Sequence, residues 1–451
     1  MGLDRSSKGS ELSIKDIFHV YWPLSASWLL MAVEEPAISA AMARLASPEV
    51  QLAAYGGVTL PLSYIIEAPI IMLLSASTAL CKDWHSYRRI YKFMMWMGAV
   101  LTMCHMIVAF TPLYYFVADN LIGAPAMTLE PARIGLMIMT PWTWAIAYRR
   151  FQQGIMIRFG YSNLVGKGTL VRLVSTGIIL IIGYLLKIVP GIVVATSAHA
   201  VGVVAEAAFA GIVVKPILRK HIKTVEPSET ITWEYFAAFY FPLALTSLLN
   251  FFWQPVGSAA ISRMERPLDS LAVWPVYMGV LFIFRAIGMA FNEVVVTLFD
   301  RKGAYRALRR FMFILLGLTG GAYLLMAVTP LARFWFQTIS GLTPGLVNLS
   351  VSTFWLGLPL PVLAVLQSWY QGSLVYSRKT RGVPESVLVF FIVIMTVLAC
   401  GMLFVDVPGI YVAVGGYSAA FFCQVIWLRY RSKPSMAIVI NRDAVDETES
   451  A

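Results

Sequence analysis

Apolar runs, each long enough to cross a hydrocarbon layer, follow one another from residue 17 to residue 430 of this chain. A helix rises about 1.5 Å per residue, so roughly 20 apolar residues span a core of about 30 Å. Lipid offers the backbone no hydrogen bonds, so such segments have to be helical. Only 13% of the residues are charged, where a soluble domain carries about 25%, and the mean hydropathy is +0.72. The expected fold class is an all-α polytopic membrane protein with twelve transmembrane helices. Hydropathy puts the first six spans near 17–45, 50–80, 93–118, 133–158, 164–186 and 188–214. A second six follows near 234–262, 268–299, 311–332, 346–376, 384–404 and 407–430. Residues 1–16 are polar and show neither an h-region nor a cleavage site, so the first span is expected to direct insertion with no removable signal peptide.

Basic residues set the orientation. The N-terminal segment, the even-numbered connections and the C-terminal segment hold 25 Lys and Arg, whereas the odd-numbered connections hold six: Arg44, Arg133, Lys187, Arg263, Arg266 and Arg333. The positive-inside rule then places both termini in the cytoplasm. It also accounts for most of the net charge of +11, and no nucleic-acid partner is needed. Cys81, Cys104, Cys400 and Cys423 are scattered without CxxC spacing and read as small core residues, so neither a disulfide framework nor a metal site is expected. The expected localisation is the plasma (inner) membrane, multi-pass.

The two sets of six spans are copies of one another. "YWPLSASWLLMAVEEPAISAAMARLASPEVQLA" (21–53) aligns without a gap to "YFPLALTSLLNFFWQPVGSAAISRMERPLDSLA" (240–272). Pro23 meets Pro242, Pro36 meets Pro255, Arg44 meets Arg263 and Pro48 meets Pro267. After a one-residue slip the register holds to the end, matching Tyr87-Arg88 to Tyr305-Arg306, Pro141 to Pro359, and "VPGIVVA" (189–195) to "VPGIYVA" (407–413). Prolines and glycines kept in step over such a length indicate duplication. Six spans per copy is an even number, so the halves share one orientation and are related by a pseudo-two-fold along the membrane normal. The expected organisation is a tail over 1–16, an N-lobe over 17–214, a linker over 215–233, a C-lobe over 234–430 and a polar, disordered tail over 431–451. Two such lobes enclose a cleft and suit alternating access.

Charges inside the spans mark candidate sites, because an ionised group at mid-membrane costs roughly 2.5–3.5 kcal/mol on insertion scales. In "WLLMAVEEPAISAA" (28–41), Glu34 and Glu35 precede Pro36, which cannot donate to the carbonyl of Ala32 and so bends span 1; Pro255 repeats this in span 7. Adjacent helical positions differ by about 100°, so one acid can face the cleft and the other a partner within the lobe. Their repeat mates are Trp253 and Gln254, which confines the acids to the first copy. Glu34, Glu35, Glu67 and Glu293, with Pro36 and Pro255, are the coupling and gating candidates. Arg285, Asn292 and Glu293 recur at i, i+7 and i+8 of span 8, and Arg149, Arg150 and Arg172 lie in spans 4 and 5. Arg285, Arg149, Arg150, Arg172, Asn292, Gln254 and Asn250 are the substrate-binding candidates. Some of these arginines must pair with the acids, and Glu206 with His199 in span 6 adds to the set. The coupling species on this reading is a proton or a sodium ion.

Enzymatic signatures are absent. "GYSNLVGKGT" (160–169) has five residues between Gly160 and Gly166 where a phosphate loop has four, and Gly168 follows Lys167 where Ser or Thr belongs. The sequence shows no HExxH, nucleophile elbow or Cys/His cluster, so no catalytic residue and no cofactor is expected, and transport would be secondary or passive.

Two lobes of six with a first span bent at proline resemble the multidrug/oligosaccharidyl-lipid/polysaccharide (MOP) exporter superfamily, which contains the MATE transporters. "EEPAISAAMA" with "LAAYG" (52–56), "QGIMIRFGYSNLVG" (153–166), and "YFPLALT" followed by "QPVGSAAISR" more closely resemble the progressive ankylosis (ANK) family within that fold. That resemblance places a family glutamate at Glu35 and a family Ser-Arg pair at Ser262-Arg263; Glu34 departs from the pattern. It implies export of an organic or phosphate-bearing anion, such as a citrate-like carboxylate, a nucleotide or pyrophosphate. The residues themselves leave three readings open. Arg285 suits an anion, the glutamates suit the cation of a MATE-like drug antiporter, and a lipid-linked oligosaccharide flippase would need a wider basic cleft.

Overall fold

The computed structural model describes residues 12–223 and 232–448, with side chains as far as 443. Most of the expected N-terminal tail and the middle of the linker lie outside these residues. Among the described residues all regular elements are helices. We number the main ones α1 (Ile14–Ala32), α2 (Glu34–Met42), α3 (Pro48–Leu80), α4 (Trp84–Phe110), α5 (Ala126–Arg158), α6 (Ser162–Leu186) and α7 (Gly191–His221). The second copy supplies α8 (Trp233–Ser262), α9 (Pro267–Leu298), α10 (Ala304–Val328), α11 (Pro344–Leu356), α12 (Pro359–Tyr376), α13 (Gly382–Phe404) and α14 (Gly409–Thr448). Nine of the described helices are long and apolar enough to cross a membrane, or ten when α11 and α12, bent by 43° at their junction, count as one.

Prolines decide where these helices break. Span 1 is interrupted at Val33, between α1 and α2, and Pro36 sits in the first turn of α2, where no intrahelical N–H is needed. The cost of a helix-interior proline, about 3 kcal/mol or more, is thereby avoided. The second copy behaves differently. Helix α8 runs unbroken through both Pro242 and Pro255, so the bend expected at Pro255 is not a break. Span 10 is interrupted at Gly357 and Leu358 ahead of Pro359, and α3 carries a one-residue turn at Met72, after Pro69. The last helix continues beyond the expected end near residue 430 to Thr448, where a disordered tail had been expected. Side-chain docking explains the extension: Asp443 accepts from the backbone N–H of Tyr305 at 2.9 Å, and Arg442 donates to the carbonyl of Arg301 at 3.0 Å.

The first helix of each copy leans on the other copy. Ile17 and Tyr21 of α1 are buried among Phe291, Val294 and Phe311 of α9 and α10. Reciprocally, Phe236 and Tyr240 of α8 pack edge-on against Phe93 of α4. Tyr21 donates its hydroxyl to the Ile287 carbonyl at 2.9 Å, and its repeat mate Tyr240 donates to the Pro69 carbonyl at 2.5 Å. Ile287 and Pro69 are themselves repeat mates in the later of the two registers. The one-residue slip therefore lies before Pro69, and the structure shows its form. Residues Tyr55–Thr59 make a π-helical turn inside α3, while the counterpart α9 is α-helical throughout. A wider turn of this kind absorbs one extra residue without ending the helix. Beyond it, Glu67 is the counterpart of Arg285.

On the face opposite the chain termini, two arginines tie the copies together. Arg44, at the end of α2, donates to the carbonyls of Thr338 at 2.6 Å and Ile339 at 2.9 Å. Its mate Arg263 donates to Ile122 at 2.7 Å, Leu121 at 2.9 Å and Asn120 at 3.1 Å. These carbonyls close two further π turns, Phe116–Leu121 and Trp335–Ile339, and a helix end without such donors leaves its carbonyls unsatisfied. Gly123 and Gly341 follow with φ of 72° and 73°, a conformation that lets the chain turn back beneath each guanidinium.

Removing both arginines should loosen this face. A hydrogen bond from a charged donor contributes about 1.5–3 kcal/mol, so an Arg44→Ala, Arg263→Ala double variant should shift the closed-to-open ratio by more than roughly tenfold. Spin labels on the repeat mates Leu113 and Leu331 would report this as a second, longer distance population. An unchanged single distance would mean that the face is held by packing instead.

Candidate functional site

Glu34 and Glu35 are the first two residues of α2, and they diverge. Glu34 turns into the first copy, where its carboxylate lies 2.8 Å from the Arg172 guanidinium of α6 and accepts from Thr176 at 3.3 Å. Arg172 also lies 3.8 Å from Glu206 of α7, which in turn is 2.6 Å from Arg149 of α5 and accepts from Gln153 at 3.0 Å. Two acids and two arginines thus alternate across α2, α6, α7 and α5, all buried. Charge of this kind is tolerated in a membrane interior only when paired, and the chain is electrically balanced.

Glu35 turns the other way and retains 24% side-chain exposure, into a cavity between the copies. Tyr55 donates to its carboxylate at 3.3 Å, and the Nδ1 of His199 is 3.6 Å from it; Tyr55 and His199 are themselves 3.2 Å apart. Trp142 holds the imidazole edge-on at 5.5 Å. Tyr55 opens the π turn, so the extra residue of the first copy sits directly behind the acid.

The cavity has a volume of about 400 Å³. The first copy lines it with Glu35, Gly56 and Tyr64, the second with Trp253, Gln254, Trp274 and Arg285 among others. Two close approaches seal the contact beside it. Pro36 packs on Gly279, where a Cβ would come within 3.1 Å of the proline ring, and Gly56 leaves no room for one against Pro275. Arg285 donates to the Tyr417 hydroxyl and lies over the rings of Tyr417 at 5.4 Å and Phe421 at 4.8 Å. Among the described residues no carboxylate comes within ion-pair distance of it.

The repeat mates of the buried network show what the second copy made of the same positions. Glu34 becomes Trp253, Tyr55 becomes Trp274, His199 becomes Tyr417 and Arg172 becomes Phe390. Those four rings form one cluster: Trp253 stacks on Tyr417 at 5.0 Å and meets Trp274 and Phe390 edge-on at 5.7 and 6.0 Å. Such ring pairs bring about 0.5–1.5 kcal/mol beyond their burial. Glu206 becomes Gln424 and Glu35 becomes Gln254.

Of the residues singled out in the sequence, Glu35, Gln254 and Arg285 meet in the cavity. The basic wall expected from Arg149, Arg150 and Arg172 does not form there. Arg149 and Arg172 are consumed by Glu206 and Glu34, and Arg150 is half-buried within the first copy. Glu67 is buried outside the cavity walls, with one carboxylate oxygen lacking a hydrogen bond among the described residues. Asn292 and Glu293 lie two turns along α9 from Arg285 and do not line the cavity; Glu293 and Asn250 are exposed. Pro255 is also outside the lining. Sequence reasoning missed Tyr55, Tyr64, Trp253, Trp274 and Tyr417 as site residues, because an aromatic residue in a span looks like ordinary packing. Carrying the later repeat register through would have paired His199 with Tyr417 and Glu67 with Arg285.

The ion-pair chain makes a stability prediction. Arg172→Leu strands Glu34 without its cation and should cost about 3–5 kcal/mol. The Glu34→Leu, Arg172→Leu double variant should recover most of that loss, since the second copy holds Trp253 and Phe390 at these positions. Thermal unfolding of the purified protein in detergent compares the two; equal destabilisation would mean that the pair is not what holds α2 to α6.

No family model and no curated protein matches the sequence. Solved structures do resemble the fold. An inward-facing multidrug resistance MATE family transporter of the MOP superfamily superposes with a TM-score of 0.68 at 14% identity, covering 93% of this chain and 99% of that one. A MOP superfamily transporter from Pyrococcus furiosus Vc1 (DSM3638), described by the reverse polarity of its binding pocket, gives 0.62 at 14% identity over 97% and 100% of the two chains. An outward-facing MATE family structure gives 0.60 at 14% identity over 96% and 99%. At these identities the likeness is one of architecture, and it covers nearly the whole chain: this is an all-helical, multi-pass membrane protein with the fold of the MATE and MOP transporters.

Proposed function

We propose that the chain is a secondary transporter that exports a small organic or phosphate-bearing anion by alternating access through the cavity between its two copies. The supporting observation is the placement of charge. One arginine with no carboxylate partner among the described residues and one glutamate face the same cavity from different copies, while Glu34, Arg172, Glu206 and Arg149 cancel inside the first copy. Arg285 binds the anion, with Gln254 as a neutral hydrogen-bonding group on the same wall. Glu35 takes the coupling proton or sets the gate, with Tyr55 hydrogen-bonded to its carboxylate and His199 beside Tyr55. Twelve spans in two six-helix lobes, with both termini in the cytoplasm of a plasma or inner membrane, complete this reading; it rests on the duplication and on the basic residues of the even-numbered connections. The ankylosis-type resemblance at Glu35 and Ser262-Arg263 points to the same substrate class.

A MATE-like cation antiporter is the alternative that one observation favours. Glu35 and the aromatic walls could hold an organic cation, since ring faces attract positive charge. Against it, the Tyr417 and Phe421 faces are already occupied by Arg285, whose charge repels a second cation.

Uptake into proteoliposomes of citrate, a nucleotide and a cationic dye, with and without a pH gradient, separates these readings. Arg285→Gln removes a charged hydrogen bond of about 1.5–3 kcal/mol, so anion flux at low substrate should fall roughly 10- to 100-fold. Glu35→Gln should leave anion flux but flatten its response to the pH gradient. Dye flux that survives Arg285→Gln and disappears in Glu35→Gln would instead establish the cation antiporter.

A further inference from the structure

The cavity is furnished unevenly. Among the residues that line it, Arg285 is the one cation and Glu35 the one acid. Arg149, Arg150 and Arg172 are all outside its walls, and Arg149 and Arg172 are already paired. A single guanidinium compensates a single negative charge. A second or third charge on a ligand would find no further counter-ion among the lining residues, and an ionised Glu35 would repel it further; uncompensated buried charge is strongly unfavourable.

The guanidinium is oriented yet not saturated. One terminal nitrogen is engaged by the Tyr417 hydroxyl, and the plane rests on the Tyr417 and Phe421 rings, so its other terminal nitrogen remains without a hydrogen bond among the described residues. An oriented fork of this kind suits the two oxygens of a carboxylate. The remaining walls are mainly apolar and aromatic, with the Gln254 amide as a further polar group. Trp253 and Trp274 meet edge-on at 5.7 Å on one side, and Tyr64 stands on the side of the first copy. Aromatic walls reward a ligand with a flat body that can stack between them, and about 400 Å³ falls within the range of roughly 300–1,000 Å³ usual for small-molecule sites.

We propose that the cavity takes an organic monoanion with a flat, apolar body, its carboxylate on Arg285 and its body between Tyr64 and the Trp253–Trp274 wall. The inference rests on the anion-transport reading and narrows it, setting aside citrate-like trianions, pyrophosphate and nucleotides. It also assigns the three aromatic residues as determinants of specificity.

Isothermal titration calorimetry on the purified full-length protein, with chosen probes, tests it. 2-Naphthoate carries one charge and a flat body, acetate the charge alone, citrate and pyrophosphate several charges, and 2-naphthylmethylammonium the same body with the opposite charge. Naphthoate should bind at least tenfold more tightly than acetate, citrate or pyrophosphate. Trp274→Ala and Arg285→Gln should each weaken it tenfold or more, and Arg285→Lys should restore part of the loss. The ranking of probes on the unmodified protein decides the matter even where a variant fails to fold. Tighter binding of citrate or pyrophosphate, lost in Arg285→Gln, would overturn the monoanion inference and leave anion transport standing. Binding of the naphthylmethylammonium alone, lost in Glu35→Gln, would overturn both. Absence of naphthoate binding to folded protein likewise sinks the inference.

Discussion

The alternating chain Glu34, Arg172, Glu206, Arg149 is the interaction on which the site depends. It is buried, it links α2 to α6, α7 and α5, and each of its charges has a counter-charge. Its consequence for the cavity is geometric. Adjacent residues of a helix point about 100° apart, so fixing Glu34 inward on Arg172 directs Glu35 outward. The residue that faces the cavity is therefore positioned by the one that does not. The break at Val33 makes this possible, since α2 can take the rotation its ion pair requires while α1 follows the surface of the other copy.

Duplication gave the protein two chances to build the same interior, and it built them from different forces. Where the first copy uses ion pairs, the second uses Trp253, Trp274, Phe390 and Tyr417. Pairing charges in a low-dielectric interior and replacing them with packed apolar groups are comparable solutions in energy. They are not comparable in function. The first leaves a carboxylate joined to titratable neighbours, and the second leaves a broad apolar wall with one amide, Gln254. The same divergence placed Glu67 behind the wall of one copy and its counterpart Arg285 at the cavity of the other.

Much of this was legible in the sequence, for a physical reason. Charges and prolines in a membrane span are costly, so their presence at Glu35, Arg285 and Pro36 needed a cause, and the structure brings Glu35 and Arg285 to one cavity. The duplication was equally plain, because prolines and glycines keep their register. What the sequence did not reveal was pairing. Arg172 and Glu34 are far apart in the chain, as are Arg149 and Glu206, and nothing in their spacing says which acid neutralises which base. Three arginines therefore looked available at the cavity, and none of them lines it. The slip between the copies was visible as a number, but its form, a π turn at Tyr55–Thr59, depends on backbone hydrogen bonding that no residue type announces.

The same contacts locate where relative motion of the two copies has to be absorbed. Helix α1 is bound to the second copy through Tyr21 and its apolar neighbours, whereas α2 is bound to the first through Glu34 and to the second through Pro36 and Arg44. Rocking of one copy against the other, as proposed above, meets a helix break at Val33, the single residue between them. In the second copy α8 is likewise tied across by Tyr240, yet it is continuous through Pro255, so its share of the motion must be spread along the helix as bending. Glu35 stands two residues beyond the break and Gln254 stands on the unbroken helix. The acid stands beside the break, and the π turn that carries its partner Tyr55 lies against it. The hydrogen bond between Tyr55 and Glu35 therefore joins two helix irregularities of the first copy, whereas Trp274 and Gln254 hold the equivalent positions on unbroken helices of the second.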